Sequence, residues 1–103
     1  MENKVVIDEA TRDLVQRKFV EYYHKNQTVK GLIEDHAYDK DPNEFYNSPG
    51  FQFYEDAKMR ALVEYETIAD QMQKSFLPKE FQGIENYKWE LDYDTCTITY
   101  TKA

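Results

Sequence analysis

The chain has 103 residues and a net charge of −7, with 41 % apolar and 16 % aromatic residues. This length leaves room for one core, so we predict a single domain over residues 1–103, and the aromatic content excludes the composition of disordered chains. The longest apolar runs have about three residues, which excludes a transmembrane helix, and the acidic balance excludes anionic lipid and nucleic acid as direct partners.

The start of the chain and its cysteine content bear on location. Only the three apolar residues Val5-Val6-Ile7 follow Met1-Glu2-Asn3-Lys4, which is too short for the apolar region of a signal peptide, so a secretory signal is not expected. Cys96 is the only cysteine and cannot form an internal disulfide, which suits a reducing compartment. We therefore expect a cytoplasmic protein.

The first third of the chain is predicted to form a strand and two helices. Residues 4–7 are a short β-branched run that can serve as an edge strand. Asp8 is a predicted N-cap, and the first helix is expected to reach about Lys25 because apolar residues recur there at helical spacing. Thr28 is predicted to cap a second, shorter helix that ends near Ala37.

A loop and a long third helix are predicted next. Residues 38–50 contain two proline turns and are expected to form an ordered loop, in which Ser48 and Pro49 are typical of an N-cap and a first helical residue. The third helix is predicted from about Phe51 to Phe76. Its apolar stripe comprises Tyr54, Ala57, Ala61, Tyr65, Ile68, Met72 and Phe76. Its exposed side is expected to carry mixed charge and few apolar residues: Glu55, Lys58, Glu66, Gln73 and Lys74.

The last segment alternates apolar and polar residues with a period of two. This pattern predicts a β-hairpin with a four-residue loop around Asp94-Thr95, in which Leu91 faces Ile98 and Trp89 faces Tyr100. A hairpin alone is not stable, so it must pack on a helix or gain a third strand. The predicted fold class is therefore α+β: three helices, the third long, packed on a small antiparallel sheet that the N-terminal edge strand can join.

The sequence predicts no reaction centre. Cys96 is expected on the buried face of a strand, without the basic neighbours that activate a thiol. His24 and His36 fall at predicted helix ends, where a cation suits the helix dipole. Residues 39–50 match a calcium loop only in their first ligands, because they lack its diagnostic glycine and its final glutamate. We therefore expect a non-enzymatic protein with no catalytic residues, no metal and no cofactor.

Residues 34–56, which we call the acidic aromatic segment, hold almost all of the charge imbalance. They contain seven acidic residues and one lysine, a net charge of −6, together with six aromatic residues. In one interpretation the rings anchor the core and the carboxylates face water. In the other, the rings that lie off any apolar period (Tyr38, Tyr46 and Phe53) are exposed at the centre of an interface with an acidic rim.

The second interpretation predicts a small acidic protein that occludes a basic surface on a protein partner. A nucleic-acid-binding partner is the sharper form of this hypothesis, because spaced carboxylates can imitate a phosphate backbone. In size and charge, although in no motif, the chain is similar to small phage-encoded inhibitors, which include DNA mimics and some anti-CRISPR proteins. The predicted partner-binding residues are Tyr38, Asp39, Asp41, Glu44, Phe45, Tyr46, Phe53, Glu55 and Asp56.

One alternative remains open. The chain could be a structural subunit or a homo-oligomeric assembly protein without an inhibitory role, paired through its long third helix. The mixed charge expected on the outer side of that helix argues against a large hydrophobic seam, so a monomer or a weak dimer is predicted.

Overall fold

The computed structural model describes residues 2–103 and confirms the α+β fold class. In chain order its elements are strand β1 (Glu2–Val6), helix α1 (Glu9–Asp35), helix α2 (Pro42–Tyr46), helix α3 (Pro49–Ser75), a 3₁₀ turn (Lys79–Phe81), strand β2 (Tyr87–Asp92) and strand β3 (Thr97–Lys102). None of the helices within residues 2–103 combines the length and the apolar composition that a bilayer span requires.

The chain divides into two compact units, and the division crosses both long helices. The sheet unit contains Met1–Gln16 and Thr67–Ala103, whereas the helical unit contains Arg17–Glu66. The single domain predicted from chain length stays a prediction.

The sheet unit is built around strand β3. The three strands are antiparallel in the order β1-β3-β2. Trp89 pairs with Tyr100 and Leu91 with Ile98, so the predicted hairpin register is confirmed. Strand β1 pairs with the other edge of β3, where Val5 lies opposite Ile98, so the predicted edge strand does join the sheet.

The hairpin turn has the predicted length but places its cysteine differently. Asp92 Oδ1 accepts hydrogen bonds from the backbone N–H groups of Asp94 (2.9 Å) and Thr95 (3.3 Å) and so organises the four-residue loop 93–96. Cys96 is half-buried with φ of 53°, so its expected position on a buried strand face is wrong. The reason is that the turn needs a left-handed residue to reverse the chain, and Cys96 occupies that position.

The core of the sheet unit combines rings with one buried amide. Tyr100, Phe81 and Ile98 are fully buried, and Tyr100 donates its hydroxyl hydrogen to the backbone carbonyl of Gln73. Burial raises the pKa of Tyr100 to about 12, with a further contribution from the nearby Tyr87. Gln73 is only 2 % exposed, so its predicted place on the exposed side of α3 is wrong. Its side-chain nitrogen Nε2 donates hydrogen bonds to Tyr87 Oη at 2.9 Å and to Asp70 Oδ1 at 3.1 Å. These bonds offset the cost of burying an amide.

The helical unit pairs residues 17–35 of α1 with residues 49–66 of α3. Lys18 Nζ lies 2.6 Å from Glu64 Oε1, and this hydrogen bond lowers the pKa of the Glu64 carboxyl and raises that of the Lys18 amine. The rings of Phe19 and Tyr65 meet edge-on at 5.5 Å between centroids. Contacts from both helices therefore hold this unit together.

Helix α1 is a single helix where the sequence pattern indicated two. The asparagine and glutamine before Thr28 are not helix breakers, and with neither proline nor glycine there the backbone continues. Thr28 lies inside α1 and donates its hydroxyl to the carbonyl of His24 at 3.1 Å instead of capping a new helix. The expected loop 38–50 is also partly wrong, because it contains the short helix α2. By contrast, the predicted Asp8 cap is confirmed, since its carboxylate accepts from the Thr11 N–H at 3.1 Å.

Candidate protein-binding surface

The acidic aromatic segment folds around the short helix α2. Asp41 is its N-cap and accepts a hydrogen bond from the Asn43 N–H at 3.2 Å, while Pro42 occupies the first helical position. Ser48 then joins α2 to α3, because its Oγ donates to the Phe45 carbonyl at 2.7 Å and accepts from the Phe51 N–H at 3.3 Å. The predicted Ser48 N-cap is thus confirmed, and its hydroxyl links the two helices at this corner, together with a 2.7 Å hydrogen bond from Gln52 Nε2 to the Tyr46 carbonyl.

A cluster of rings fills the space beside this corner. The imidazole of His36 stacks on Phe45 with 3.9 Å between centroids and 11° between planes. Phe45 contacts Phe51 at 4.7 Å, and Tyr46 meets Phe51 edge-on at 5.4 Å. Phe51 is buried and Phe45 is half-buried. Phe45, one of the predicted contact residues, therefore anchors the segment as well as bordering its surface.

Four of the six aromatic residues of the segment, including Tyr46 at the edge of this cluster, are open to solvent. Tyr38 is 99 % exposed and Phe53 is 64 % exposed, while Tyr54 and Tyr46 are 46 % and 39 % exposed. The sequence pattern placed Tyr54 in the buried stripe of the third helix, which is wrong: it meets Phe53 edge-on at 5.5 Å on open surface. The exposed position expected for Tyr38, Tyr46 and Phe53 is found.

The predicted carboxylates divide by whether they have a partner within the chain. Asp39 Oδ2 lies 2.6 Å from His36 Nδ1, and Glu55 Oε1 lies 3.0 Å from Lys58 Nζ. Asp41 serves as the α2 cap. The remaining two, Glu44 and Asp56, are exposed and make no hydrogen bond or ion pair within residues 2–103. These two are free to meet a charge on another molecule.

A cleft of about 650 Å³ opens between the end of α1, helix α2 and the start of α3. Its apolar lining comes from Leu32, Phe45, Phe51 and Tyr54. Its charged and polar lining comes from His36, Asp39, Lys40, Asp41, Glu44 and Ser48, and Gly50 contributes backbone. A concave site with an apolar lining and a few polar groups is the usual form of a binding site.

The cleft gathers some of the predicted contact residues and leaves others out. Asp39, Asp41, Glu44 and Phe45 line it, whereas Tyr38, Tyr46, Phe53, Glu55 and Asp56 do not. The sequence prediction missed seven residues that line the cleft: Leu32, His36, Lys40, Ser48, Gly50, Phe51 and Tyr54. The Ser-Pro-Gly corner was the one available signal, since a cap at residue 48 brings the start of α3 back against the segment.

No group of three or more histidine, cysteine or acidic side chains within residues 2–103 is arranged to hold a metal ion.

No family model, curated protein or solved structure matches the chain. The geometry of the acidic aromatic segment is therefore what carries the functional argument.

Proposed function

We propose that this protein is a small, acidic, non-enzymatic binding protein that occludes a basic surface on a protein partner. One observation carries the proposal: four rings between 39 % and 99 % exposed lie in the segment that holds a net charge of −6. A nucleic-acid-binding protein is the partner class that fits best, because its phosphate-binding surface is basic and would be attracted to this segment.

The exposed rings would supply contact area. Burying apolar surface contributes roughly 25 cal/mol per Å², and tyrosine is enriched at interfaces because its ring is large, rigid and carries a hydroxyl. Tyr38 and Phe53 have the most ring surface left to bury on binding. An isolated exposed ring needs no explanation, but four within one acidic segment resemble the aromatic centre of an interface.

The carboxylates would supply attraction and orientation. Glu44 and Asp56 need break no contact within the chain to pair with an arginine or lysine of a partner. Opposite charges across an interface speed association and reject wrong partners more than they add affinity, and salt screens the effect. The proposed complex is accordingly expected to weaken as ionic strength rises.

The test compares two double charge reversals that give the same net charge. Glu44→Lys with Asp56→Lys changes the acidic aromatic segment, whereas Glu66→Lys with Glu90→Lys changes exposed acids outside it. A pull-down from lysate at about 0.05 M and about 0.5 M salt identifies the partner, and titration of that purified protein gives affinity and salt dependence. The first pair should weaken binding about tenfold or more, or about 1.4 kcal/mol, and flatten the salt dependence, while the second pair should not. Equal behaviour of the two pairs would refute the proposal.

A second candidate is homo-oligomeric assembly through α3, and one observation favours it. Met59 and Val63 lie one turn apart on α3 and are 45 % and 59 % exposed. The sequence pattern predicted few apolar residues on the outer side of this helix and did not indicate this pair. They border a shallow surface depression together with Arg60 and Glu64. Sedimentation of wild type and of Val63→Glu at micromolar concentration tests it: assembly requires a dimer that the substitution dissociates, and a monomeric wild type excludes it.

A further inference from the structure

The cleft beside α2 allows the chemistry of the partner to be specified further. We propose that it receives an arginine side chain projecting from the basic surface of the partner. This inference rests on the proposed function, because it concerns the same segment, and it adds the identity of the group recognised. The cleft lies wholly within the helical unit, so its shape depends on that unit alone.

The cleft suits a long side chain with an apolar stem and a cationic end. Its volume of about 650 Å³ is in the range of about 300–1,000 Å³ found for ligand sites. Leu32, Phe45, Phe51 and Tyr54 offer apolar surface to methylene groups. Arginine commonly buries its stem on such surface while its charged end stays near water and carboxylates.

The charges around the cleft favour a cation. Asp39, Asp41 and Glu44 line it against a single lysine, Lys40, and the imidazole of His36, which already has Asp39 as its partner. Asp41 uses Oδ1 to cap α2 and keeps Oδ2 available. Glu44 is free of any partner within residues 2–103. The lining therefore offers acceptors for more than one N–H donor of the same incoming group.

Arginine fits this lining better than lysine does. A guanidinium is planar, carries five N–H donors and can stack on an aromatic face while it pairs with a carboxylate. Tyr54 provides such a face, because it lines the cleft and is 46 % exposed. One face of Phe45 is occupied by His36, at 3.9 Å between ring centroids. An ammonium group would gain the charge pairing and some attraction to the ring, but neither planar stacking nor a fork of N–H donors.

The first experiment separates arginine recognition from charge attraction. Hexa-arginine, hexa-lysine and the uncharged hexa-citrulline are titrated into the full chain by calorimetry, with the ring resonances of Tyr54 followed by NMR. Hexa-arginine should bind at least about threefold more tightly than hexa-lysine, because a planar guanidinium can stack on a ring and pair with a carboxylate at the same time, and it should shift the Tyr54 resonances. Hexa-citrulline should bind weakest. Equal binding of the two cationic peptides, or binding without a shift at Tyr54, would overturn the arginine assignment.

The second experiment fills the cleft without changing any charge. A Cβ added at Gly50 meets nothing within 4 Å, and Gly50 lines the cleft, so Gly50→Leu should occupy it while the helix is kept. Gly31→Leu is the matched control, because Gly31 is also helical and open but does not line the cleft. Gly50→Leu should lower hexa-arginine affinity about tenfold while hexa-lysine binding changes little, and Gly31→Leu should change neither.

A further variant keeps the test decisive if Gly50→Leu folds poorly. Tyr54→Leu keeps an apolar side chain but removes the ring, and it should abolish the preference for hexa-arginine over hexa-lysine. The cleft does not receive arginine if the preference for hexa-arginine over hexa-lysine survives Tyr54→Leu, or if Gly50→Leu binds hexa-arginine as tightly as wild type does. The proposed function can still stand in that case, because it depends on the reversal of Glu44 and Asp56 weakening the captured partner.

Discussion

Replacing Ser48 with alanine tests whether one hydroxyl holds the corner on which the cleft is built. Ser48 Oγ bonds the Phe45 carbonyl at the end of α2 and the Phe51 N–H in the first turn of α3. The alanine variant deletes both hydrogen bonds without adding volume. Helix α2 then keeps its own cap at Asp41 but loses a direct connection to α3.

The magnitude follows from the two bonds separately. Loss of a serine N-cap costs about 1 kcal/mol, within a range of about 0.5–2, and the Phe51 amide is poorly placed to find water because Phe51 is 8 % exposed. The Phe45 carbonyl still accepts a hydrogen bond from the Ser48 N–H at 3.0 Å. Losing the bond from the Ser48 hydroxyl should therefore cost an amount at the low end of the usual range, about 0.5 kcal/mol. Together the free energy of unfolding should fall by about 1.5 kcal/mol, and Tm by about 6–12 °C for a chain of this size.

Urea denaturation followed by circular dichroism measures this change, and Ser75→Ala is the matched control. Ser75 Oγ also donates to a carbonyl, that of Met72 at 2.6 Å, but it accepts no N–H in the last turn of α3. Alanine's higher helix propensity offsets much of that loss, so the control should stay within about 0.5 kcal/mol of wild type. If Ser48→Ala is no less stable than Ser75→Ala, the Ser48 hydroxyl does not stabilise the corner that borders the cleft.

Three further predictions concern the sheet unit. Tyr100→Phe should lower the free energy of unfolding by about 1 kcal/mol in urea denaturation, because a buried hydroxyl loses its carbonyl partner, whereas Tyr38→Phe, at a 99 % exposed ring, should have no effect. The Thr11 hydroxyl, and secondarily its N–H, lower the pKa of Asp8 from 3.8, so this cap stabilises the fold above that pH and is lost as the pH falls through the lowered value. The stability difference between wild type and Asp8→Ala should therefore shrink on titration from neutral pH to about pH 2, and a difference that stays constant contradicts the linkage. Gly83→Ala should destabilise by about 1–2 kcal/mol in thermal melts, because Gly83 has φ of 82° and alanine is strained there; unchanged stability would refute this.

The candidate site could be predicted only in part. Its location in residues 34–56 and the exposure of Tyr38, Tyr46 and Phe53 follow from charge and from the absence of an apolar period. The cleft could not be foreseen, because it depends on α2 and on the contact of His36 with Phe45. The turn between these two residues has no sequence pattern that fixes its path. Tyr54 lies on the helical period of the buried stripe, but it borders the open cleft and stays 46 % exposed.

The sequence alone determined the features whose causes are local. The two-residue alternation of the last segment set the hairpin register, and Asp8 and Ser48 set where the two long helices begin, since each depends on a few adjacent residues. Only the tertiary structure decided which helical positions are buried. The side-chain amide of Gln73 can be buried because Tyr87 reaches it from strand β2, in addition to Asp70 one turn earlier on α3. The cleft exists because three helical segments meet beside Ser48. A periodic pattern describes the face of an element, whereas burial and concavity depend on what other elements bring to it.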